Sequence, residues 1–443
     1  MSPLNRVATC VVVCAVVGVP ASLSHAQGAE RHAAEVGSLV NAMYPALDAV
    51  YKDLHANPEL AFEEVRTAAK LAAEMKALGF EVTEKIGKTG VVAMLRNGTG
   101  PTVMVRTELD ALPMEEKTGL PYASRAKAMS NGKESFVAHS CGHDLHMAAW
   151  LGAARTLVAM KGKWQGTLMF VAQPAEETVS GAKAMLADGL FTRFPKPDFG
   201  FALHSSPGPL GSIGYNVGAM TSNSDGLDIT FKGRGGHGSA PDKTIDPIAI
   251  AARFIVDVQA VVSREKDPME FGVVTIGAVQ AGTVGNIIPD SATLRGTIRS
   301  YKPEVRAKLL AGVRRTAQAA ALMAGAPEPE VNLVEGGLAI VNDDGVVTRT
   351  EAVLRSAFGA ASVQRMPPIT ASEDFSAFVN AGVPSMFFFV GVSDPKDVAA
   401  AMKPGGKPLP FNHSPFFAPV AEPAIKHSTT AMSLAVLNAL APR

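Results

Sequence analysis

Hydrophobic and polar positions along this chain follow two rhythms, and the switches between them mark its elements. Val36, Leu39, Val40, Met43, Leu47, Val50, Tyr51 and Leu54 recur three and four apart, the spacing of one helix face. Pro58 and Glu59 end that run, and a second helix over 63–78 stops at Gly79, which suits a C-cap. Residues 80–83 and 91–95 read as strands, with a Gly98-Thr99-Gly100-Pro101 turn after them. Residues 102–106 form a short apolar run of the kind found in a parallel strand buried on both faces. That run leads into Glu108-Leu109-Asp110, where a spacing of two puts both carboxylates on one face of an extended segment. Residues 123–136 are polar and irregular and are expected to form a loop lining a cleft. The Ala-rich run 147–160 predicts a buried helix. Residues 167–172 predict a strand entering Gln173-Pro174-Ala175-Glu176-Glu177, and 199–203 a strand that delivers His204. Three successive strands thus each end in carboxylates or an imidazole, where α/β proteins keep their chemistry.

The rhythm changes near Gly214. Residues 227–232 alternate as a half-buried strand, and a glycine-rich loop from Gly233 to Pro241 surrounds His237. A helix over 248–262, strands over 271–278 and 292–298, a helix over 304–323 and a strand over 329–334 follow, with Gly285-Asn286 and Asp290 between the middle strands. That order predicts a small α+β sandwich with helices on one face of an antiparallel sheet. Its open edge would suit dimerisation. After Asn342 the first rhythm resumes: a helix over 345–358, Ser372-Glu373-Asp374-Phe375 before a short helix, an apolar strand over 385–390, Asn412-His413-Ser414-Pro415, and a helix over 419–440. We therefore read an α/β domain in two parts, 27–215 and 339–443, interrupted by an inserted domain, 216–338.

Bulk properties narrow this further. A chain of 443 residues exceeds the roughly 250–300 residues that one core supports. It is 47% hydrophobic and 19% charged with zero formal net charge, which excludes a disordered chain and argues against a nucleic-acid partner. Residues 1–26 read as a signal peptide: Arg6, an apolar run from Val7 to Val19, and Ser24-His25-Ala26 as the cleavage site. The run is shorter than the about 20 residues of a membrane span. The expectation is an exported protein, periplasmic or secreted, without a membrane anchor. Cys10 and Cys14 leave with the leader, so Cys141 alone remains and has no internal disulfide partner.

Composition brings the chemistry into view at residues 139–146, His-Ser-Cys-Gly-His-Asp-Leu-His, which hold three of the chain's ten histidines. Imidazole, thiolate and carboxylate are the usual ligands of zinc and related cations. The octet sits at a helix N-terminus, where the dipole favours a thiolate. Amide hydrolysis needs a nucleophilic water, a polarised carbonyl and a proton for the leaving amine. Two cations about 3.5–4 Å apart serve the first two needs. A carboxylate free of metal serves as base and then acid. Glu176 and Glu177, adjacent on an extended backbone, would point apart and divide the ligand and base roles. His204 and His413 are further candidate donors, His139 and His146 stay open, and His237 would reach a substrate. Cys141 as a thiol nucleophile paired with histidine is the alternative enzyme class, and an exported metal-containing solute-binding protein the alternative without turnover. The thiol scheme leaves Glu108, Asp110, Glu176 and Glu177 without a task.

These residues resemble the M20 family of metallopeptidases, in its amidohydrolase branch of hippurate hydrolases, N-acyl-amino-acid amidohydrolases, aminoacylases and carboxypeptidases. The motifs are 106–113, 139–146, 173–177, Leu203-His204, 235–241, 285–290, 372–375 and His413, and they span most of the chain from about residue 35 to 440. The resemblance implies a zinc-peptidase-like catalytic domain with a central mixed sheet flanked by helices, plus a ferredoxin-like inserted lid and dimerisation domain. It implies Cys141 as a ligand shared by two divalent ions (Zn, Mn, Co or Ni), with His143, His204, Glu177 and His413 completing the set. It also implies Glu176 as general base, Asp110 as a carboxylate orienting a ligand, and His237 and Asn286 as substrate-contacting groups. His237 would be presented to a neighbouring subunit in a homodimer or higher homo-oligomer. The substrate would be an N-acyl amino acid or short peptide. Departures are Glu108 where aspartate is commoner, Ser140 and Leu145 in the octet, and a longer segment over 126–136; they touch the cleft rim and leave the presumed ligands intact.

Overall fold

The computed structural model describes residues 21–441, with side chains from residue 32 onward. The expected leader over 1–26 lies outside the described residues apart from the backbone of 21–26. In chain order, helices α1 (Ala21–Ala56) and α2 (Val65–Ala77) precede strands β1 (Glu81–Ile86), β2 (Gly90–Asn97), β3 (Thr102–Glu108), β4 (Lys127–Ser130) and β5 (Lys133–Phe136). Next come α3 (His143–Ala159), β6 (Gly166–Gln173), α4 (Gly181–Ala187), α5 (Leu190–Arg193), β7 (Phe199–Pro209), β8 (Ile213–Tyr215) and β9 (Gly218–Ala219). The middle of the chain forms β10 (Asn223–Lys232), β11 (Gly236–His237), α6 (Pro247–Ala260), β12 (Gly272–Ala281), β13 (Ile287–Ile288), β14 (Ser291–Ser300), α7 (Pro303–Met323) and β15 (Glu330–Glu335). The last part forms β16 (Val341–Asn342), α8 (Asp344–Phe358), β17 (Val363–Arg365), α9 (Ser376–Asn380), β18 (Ser385–Ser393), α10 (Pro395–Ala401) and α11 (Ala421–Ala439).

The large sheet has the order β1-β2-β6-β3-β7-β18-β8-β17. It is mixed: β6, β3, β7 and β18 run parallel to their neighbours, while β1, β2 and β8 add antiparallel pairs. Each central strand carries a continuous apolar run because both faces are covered there. Its period of two divides the side chains between two cores. Val103, Val105, Leu168, Phe170, Met386 and Phe388 point to the face packed by α1, α3 and α11. Met104, Met169, Val171, Phe387 and Phe389 point to the other, against Met185, Phe375 and Phe378. The three consecutive phenylalanines of β18 thus serve two faces.

Residues 223–335 build a separate antiparallel sheet, β12-β14-β10-β15, whose core includes Leu227, Phe231, Phe254, Leu294 and Val313 from the sheet and α6 and α7. The strand–helix–strand–strand–helix–strand order is that of a ferredoxin-like sandwich. The two chain crossings that enter and leave it are laced together. β9 pairs antiparallel with β16, and Asn342 Nδ2 donates to the carbonyls of Asn216 and Phe387 at 2.9 Å each.

One local expectation changes. Residues 123–136 are not an irregular loop throughout, since Lys127–Ser130 pairs with Lys133–Phe136 as a hairpin. Ser130 pairs with Lys133, so the connection is the two residues Asn131 and Gly132, both at positive φ (51° and 76°). Asn-Gly is the preferred pair for such a turn, because both positions need a left-handed backbone. The polar strands lacked a hydrophobic alternation, and this dipeptide was the available signal.

Candidate functional site

The parallel strands β6, β3 and β7 lie side by side; the segments after β3 and β6 and the middle of β7 bring the predicted residues together, since β7 continues past His204 to Pro209 instead of ending there. Helix α3 adds the octet, whose last four residues are its first turn. The chain turns into α3 through Gly142 at φ 89°, where a Cβ would lie 2.5 Å from Ser205 Oγ. Only glycine fits both demands. Cys141, just before it, has its thiol 3.3 Å from Nε2 of His204. Nε2 of His143 lies 3.8 Å from Glu176 and 3.9 Å from Glu177, and His413 Nε2 is 3.2 Å from the other oxygen of Glu177. His413 arrives on a loop at φ 68°, held by its N–H on the Ser140 carbonyl at 2.8 Å and by Asn412 Nδ2 on the Cys141 carbonyl at 2.9 Å.

The buried imidazole of His143 and the half-buried one of His204 are each held in one tautomer. His143 Nδ1 sits 2.7 Å from the Asp110 carbonyl, and His204 Nδ1 2.8 Å from the Ser205 carbonyl. A carbonyl accepts only, so both Nδ1 atoms carry the proton, and in the neutral rings that a metal binds both Nε2 lone pairs face inward; in the chain alone burial lowers His143, but Asp110, Glu108 and Glu177 outweigh it and lift it to about 10. Nε2 of His143 and Oε1 of Glu177 are buried without a hydrogen-bond partner. Buried polar atoms in folded proteins are seldom left unsatisfied. Two convergent lone pairs beside a thiol, a second carboxylate and two further imidazoles fit divalent cations. The groups Cys141–His143–His204, Cys141–Glu177–His413 and His143–Glu176–Glu177 each bring their donor atoms within 4.8 Å of one another.

The open question over His146 is answered by geometry. Its Nδ1 faces Glu108 at 3.0 Å, and its Nε2 accepts the Ser205 N–H at 2.8 Å. Both nitrogens are committed, so His146 braces the site. His139 is buried with neither nitrogen bonded, and burial pushes it down to about 4.

Glu176 and Glu177 correct an expectation. The backbone here is a turn, entered through Ala175 at φ 50°, and both carboxylates approach the same His143 nitrogen instead of pointing apart. Their environments still separate them. Burial, then the charges of Glu373, Glu177 and Asp374, push the Glu176 carboxyl well above the usual range. Burial acts on Glu177 as well, but the hydrogen bond with His413 and the nearness of His143 bring it below that range. The thiol of Cys141 is pushed well up by burial and then by Glu177, Glu176 and Glu108, while burial and His146 push His204 well down. The helix N-terminus therefore does not secure a thiolate against these carboxylates in the chain alone. A metal-free thiolate–imidazolium pair at Cys141 and His204 is opposed on both sides.

Asp110 is buried, and its two oxygens accept the backbone N–H groups of Glu176 (3.0 Å) and Glu177 (2.9 Å). It holds the turn that carries both side chains. Glu108, two residues earlier, is committed elsewhere, to Arg106 and His146. His237 and Asn286 do not join the cluster within one chain. His237 is exposed on β11, its Nδ1 taken by the Ser239 hydroxyl at 2.8 Å, and the exposed Asn286 accepts the Gly238 N–H through its carbonyl at 2.8 Å.

Arg106, Glu108, Glu373 and Asp374 lie within the sequence motifs, but their pairing had no signal in the sequence, and neither His55 nor Glu64 stood out there. Arg106 donates to Glu108, to Glu373 (2.7 Å) and to Asp374 (3.0 Å) beneath Glu176. Burial lifts Asp374 to about 7, against the pull of Arg106. His55 of α1 lies between Asp144 (2.6 Å) and Glu116 (3.1 Å). Glu64 reaches the turn before Glu176, its Oε1 accepting the Ala175 N–H at 2.8 Å.

The sequence pattern of peptidase family M20/M25/M40 matches residues 104–404. Hippurate hydrolase of Campylobacter jejuni is 40% identical over 330 residues, 73% of this chain and 82% of that enzyme. N-acetylcysteine deacetylase of Bacillus subtilis is 34% identical over 346 residues, 77% of this chain and 87% of that enzyme. Among solved structures, the Bacillus subtilis YXEP protein, described as a dinuclear metal-binding peptidase of the M20 family, superposes with a TM-score of 0.74 at 29% identity, covering 90% of this chain and 99% of that one.

Proposed function

The chain belongs to peptidase family M20/M25/M40, and from that premise we propose a binuclear metal-dependent amidohydrolase that cleaves the amide of N-acyl amino acids or small peptides. The observation that carries the reading is the convergence of His143 Nε2 and Glu177 Oε1, 3.9 Å apart and both buried without a hydrogen-bond partner, amid Cys141, His204 and His413. Cys141, His143, Glu177, His204 and His413 hold two divalent ions; the thiol favours zinc, and the other donors also suit manganese, cobalt or nickel. When bound, the ions polarise the scissile carbonyl and acidify a water.

Glu176 takes the proton from the attacking water as its oxygen bonds to the acyl carbon. It returns that proton to the leaving amine as the C–N bond breaks, giving a carboxylic acid and a free amine. The pressure on its carboxyl from Glu373 and Asp374 suits a group that must hold a proton between the two steps. Asp110 keeps Glu176 and Glu177 in place through their backbone N–H groups. His237 and Asn286 contact the substrate from the inserted domain, which consists of residues 216–338 between the catalytic parts 27–215 and 339–443. Exposed Val279 and Val334 on the edge strands β12 and β15 support association through that domain into a homodimer; a monomer mass in solution would contradict it. The apolar run before Ser24-His25-Ala26 supports export, to a periplasm or the medium. Among the described residues no helix is long and apolar enough to cross a membrane.

Glu176→Ala tests the assignment. With N-acyl amino acids as substrates, kcat should fall by about 10²–10⁴-fold, the worth of general acid–base catalysis, while metal content and fold stay as in the wild type. Activity within a few-fold of wild type would remove Glu176 from its role. In the same assay His237→Ala should keep its metal and lose kcat/KM.

A further inference from the structure

The turn that carries Glu176 and Glu177 is an unfavourable one. Ala175 at φ 50° and Val179 at φ 52° bracket it, and a β-branched residue seldom adopts a positive φ. Such a backbone persists only where its surroundings hold it. Three successive N–H groups do so here: Ala175 donates to Glu64 at 2.8 Å, and Glu176 and Glu177 donate to Asp110 at 3.0 and 2.9 Å. Asp110 lies at the end of β3, but Glu64 comes from 111 residues away, just before α2.

Glu64 does not spend its side chain on capping α2. The residue before a helix commonly caps it with its side chain, yet Glu64 makes no such bond, and Glu59 instead accepts the N–H groups of Arg66 (3.0 Å) and Thr67 (2.7 Å). Its side chain turns inward, fully buried, and is fixed at its other oxygen by the Thr89 hydroxyl. Oε1 also takes the Phe62 N–H at 2.9 Å. A buried carboxylate is costly unless fully bonded, and this one ties Thr89, Phe62 (itself at φ 63°) and Ala175 to one point.

We propose that Glu64 is a positioning residue for hydrolysis, locking Ala175 in its left-handed conformation so that Glu176 and Glu177 both face His143. This rests on the reading of Glu176 as the base and Glu177 as a ligand. Glu64 touches neither the substrate nor the reacting atoms.

The test compares Glu64→Ala, Glu64→Asp and Glu64→Gln with Glu176→Ala, under saturating divalent metal. Asp keeps the charge but is too short to reach Ala175. Gln keeps an acceptor for Ala175 and Phe62 and offers its amide to the Thr89 oxygen. The expected result is a loss of about 10²-fold in kcat for Ala and Asp, the scale of an ångström misplacement, with KM within about threefold of wild type and kcat largely rescued in Gln. Hydrogen exchange on the metal-free proteins should be slow at Ala175, Glu176 and Glu177 in wild type and Gln, and fast in Ala and Asp. Where Ala does not fold, Asp decides by the same criteria. Unchanged kcat with a lowered melting temperature, or unchanged exchange at these amides, would overturn the proposal and leave Glu64 a stabilising residue only. Activity retained in Glu176→Ala would instead overturn the reading beneath it, whatever Glu64 does.

Discussion

At the scale of single residues, function rests on which atom each side chain has left over. His143 and His146 are buried imidazoles and His204 a half-buried one, yet only His143 and His204 keep an inward Nε2. Arg106 beneath them is fully buried among Glu108, Glu373 and Asp374, which it neutralises in part. Removing it would strand several carboxylates in the interior, and losing one partner of a buried ion pair costs about 3–5 kcal/mol. Arg106→Gln should therefore lose at least about 3 kcal/mol of unfolding free energy in denaturant titration; a change under about 1 kcal/mol would show the carboxylates to be neutral without it. The octet was legible because its donors are adjacent in sequence. Arg106, Glu108, Glu373 and Asp374 stood in the family motifs, but their ion pairing was not legible, since Glu373 lies 267 residues from Arg106 and nothing local distinguishes a buried carboxylate from a solvated one.

At the scale of elements, strands and helices followed their periodicities, and the ends of β3 and β6 marked the site before any geometry was known, whereas β7 runs on past His204 to Pro209. Two things escaped. The hairpin of β4 and β5 has polar faces, and Glu176-Glu177 sit in a turn whose shape depends on distant carboxylates. The link between α1, α3 and the segment after Asp110 was equally hidden: His55 joins Asp144, 89 residues away, to Glu116. Burial lowers its pKa, but these two acceptors outweigh burial and lift it to about 10, above the ordinary 6.5. A histidine raised on folding stabilises fully below its unfolded pKa, and that contribution is lost as pH rises through the folded one. The melting temperature of wild type should exceed that of His55→Gln most near pH 6.5 and converge toward it by about pH 10. A difference independent of pH across that window would mean that His55 is held neutral.

At the scale of the whole molecule, one α/β body supplies every candidate ligand and the base, and the inserted sandwich supplies His237 and Asn286. The change of rhythm near Gly214 and its return near Asn342 flank the residues that build the separate sheet β12-β14-β10-β15. The sequence did not reveal that β9 and β16 lace the two crossings together, a two-residue ladder too short to leave a pattern. Cys141, His143, Glu177, His204 and His413 come from α3, its entry turn, the end of β6, the middle of β7 and a late loop, so the centre forms only when the whole body is folded. Metal and fold should stand or fall together there. The most direct measurement is elemental analysis of the purified protein, paired with hydrolysis of a panel of N-acyl amino acids before and after chelation. The account predicts about two divalent ions per chain, activity lost on chelation, and activity restored by zinc, manganese, cobalt or nickel. Full activity in protein stripped of metal would contradict it and return attention to Cys141 as a nucleophile.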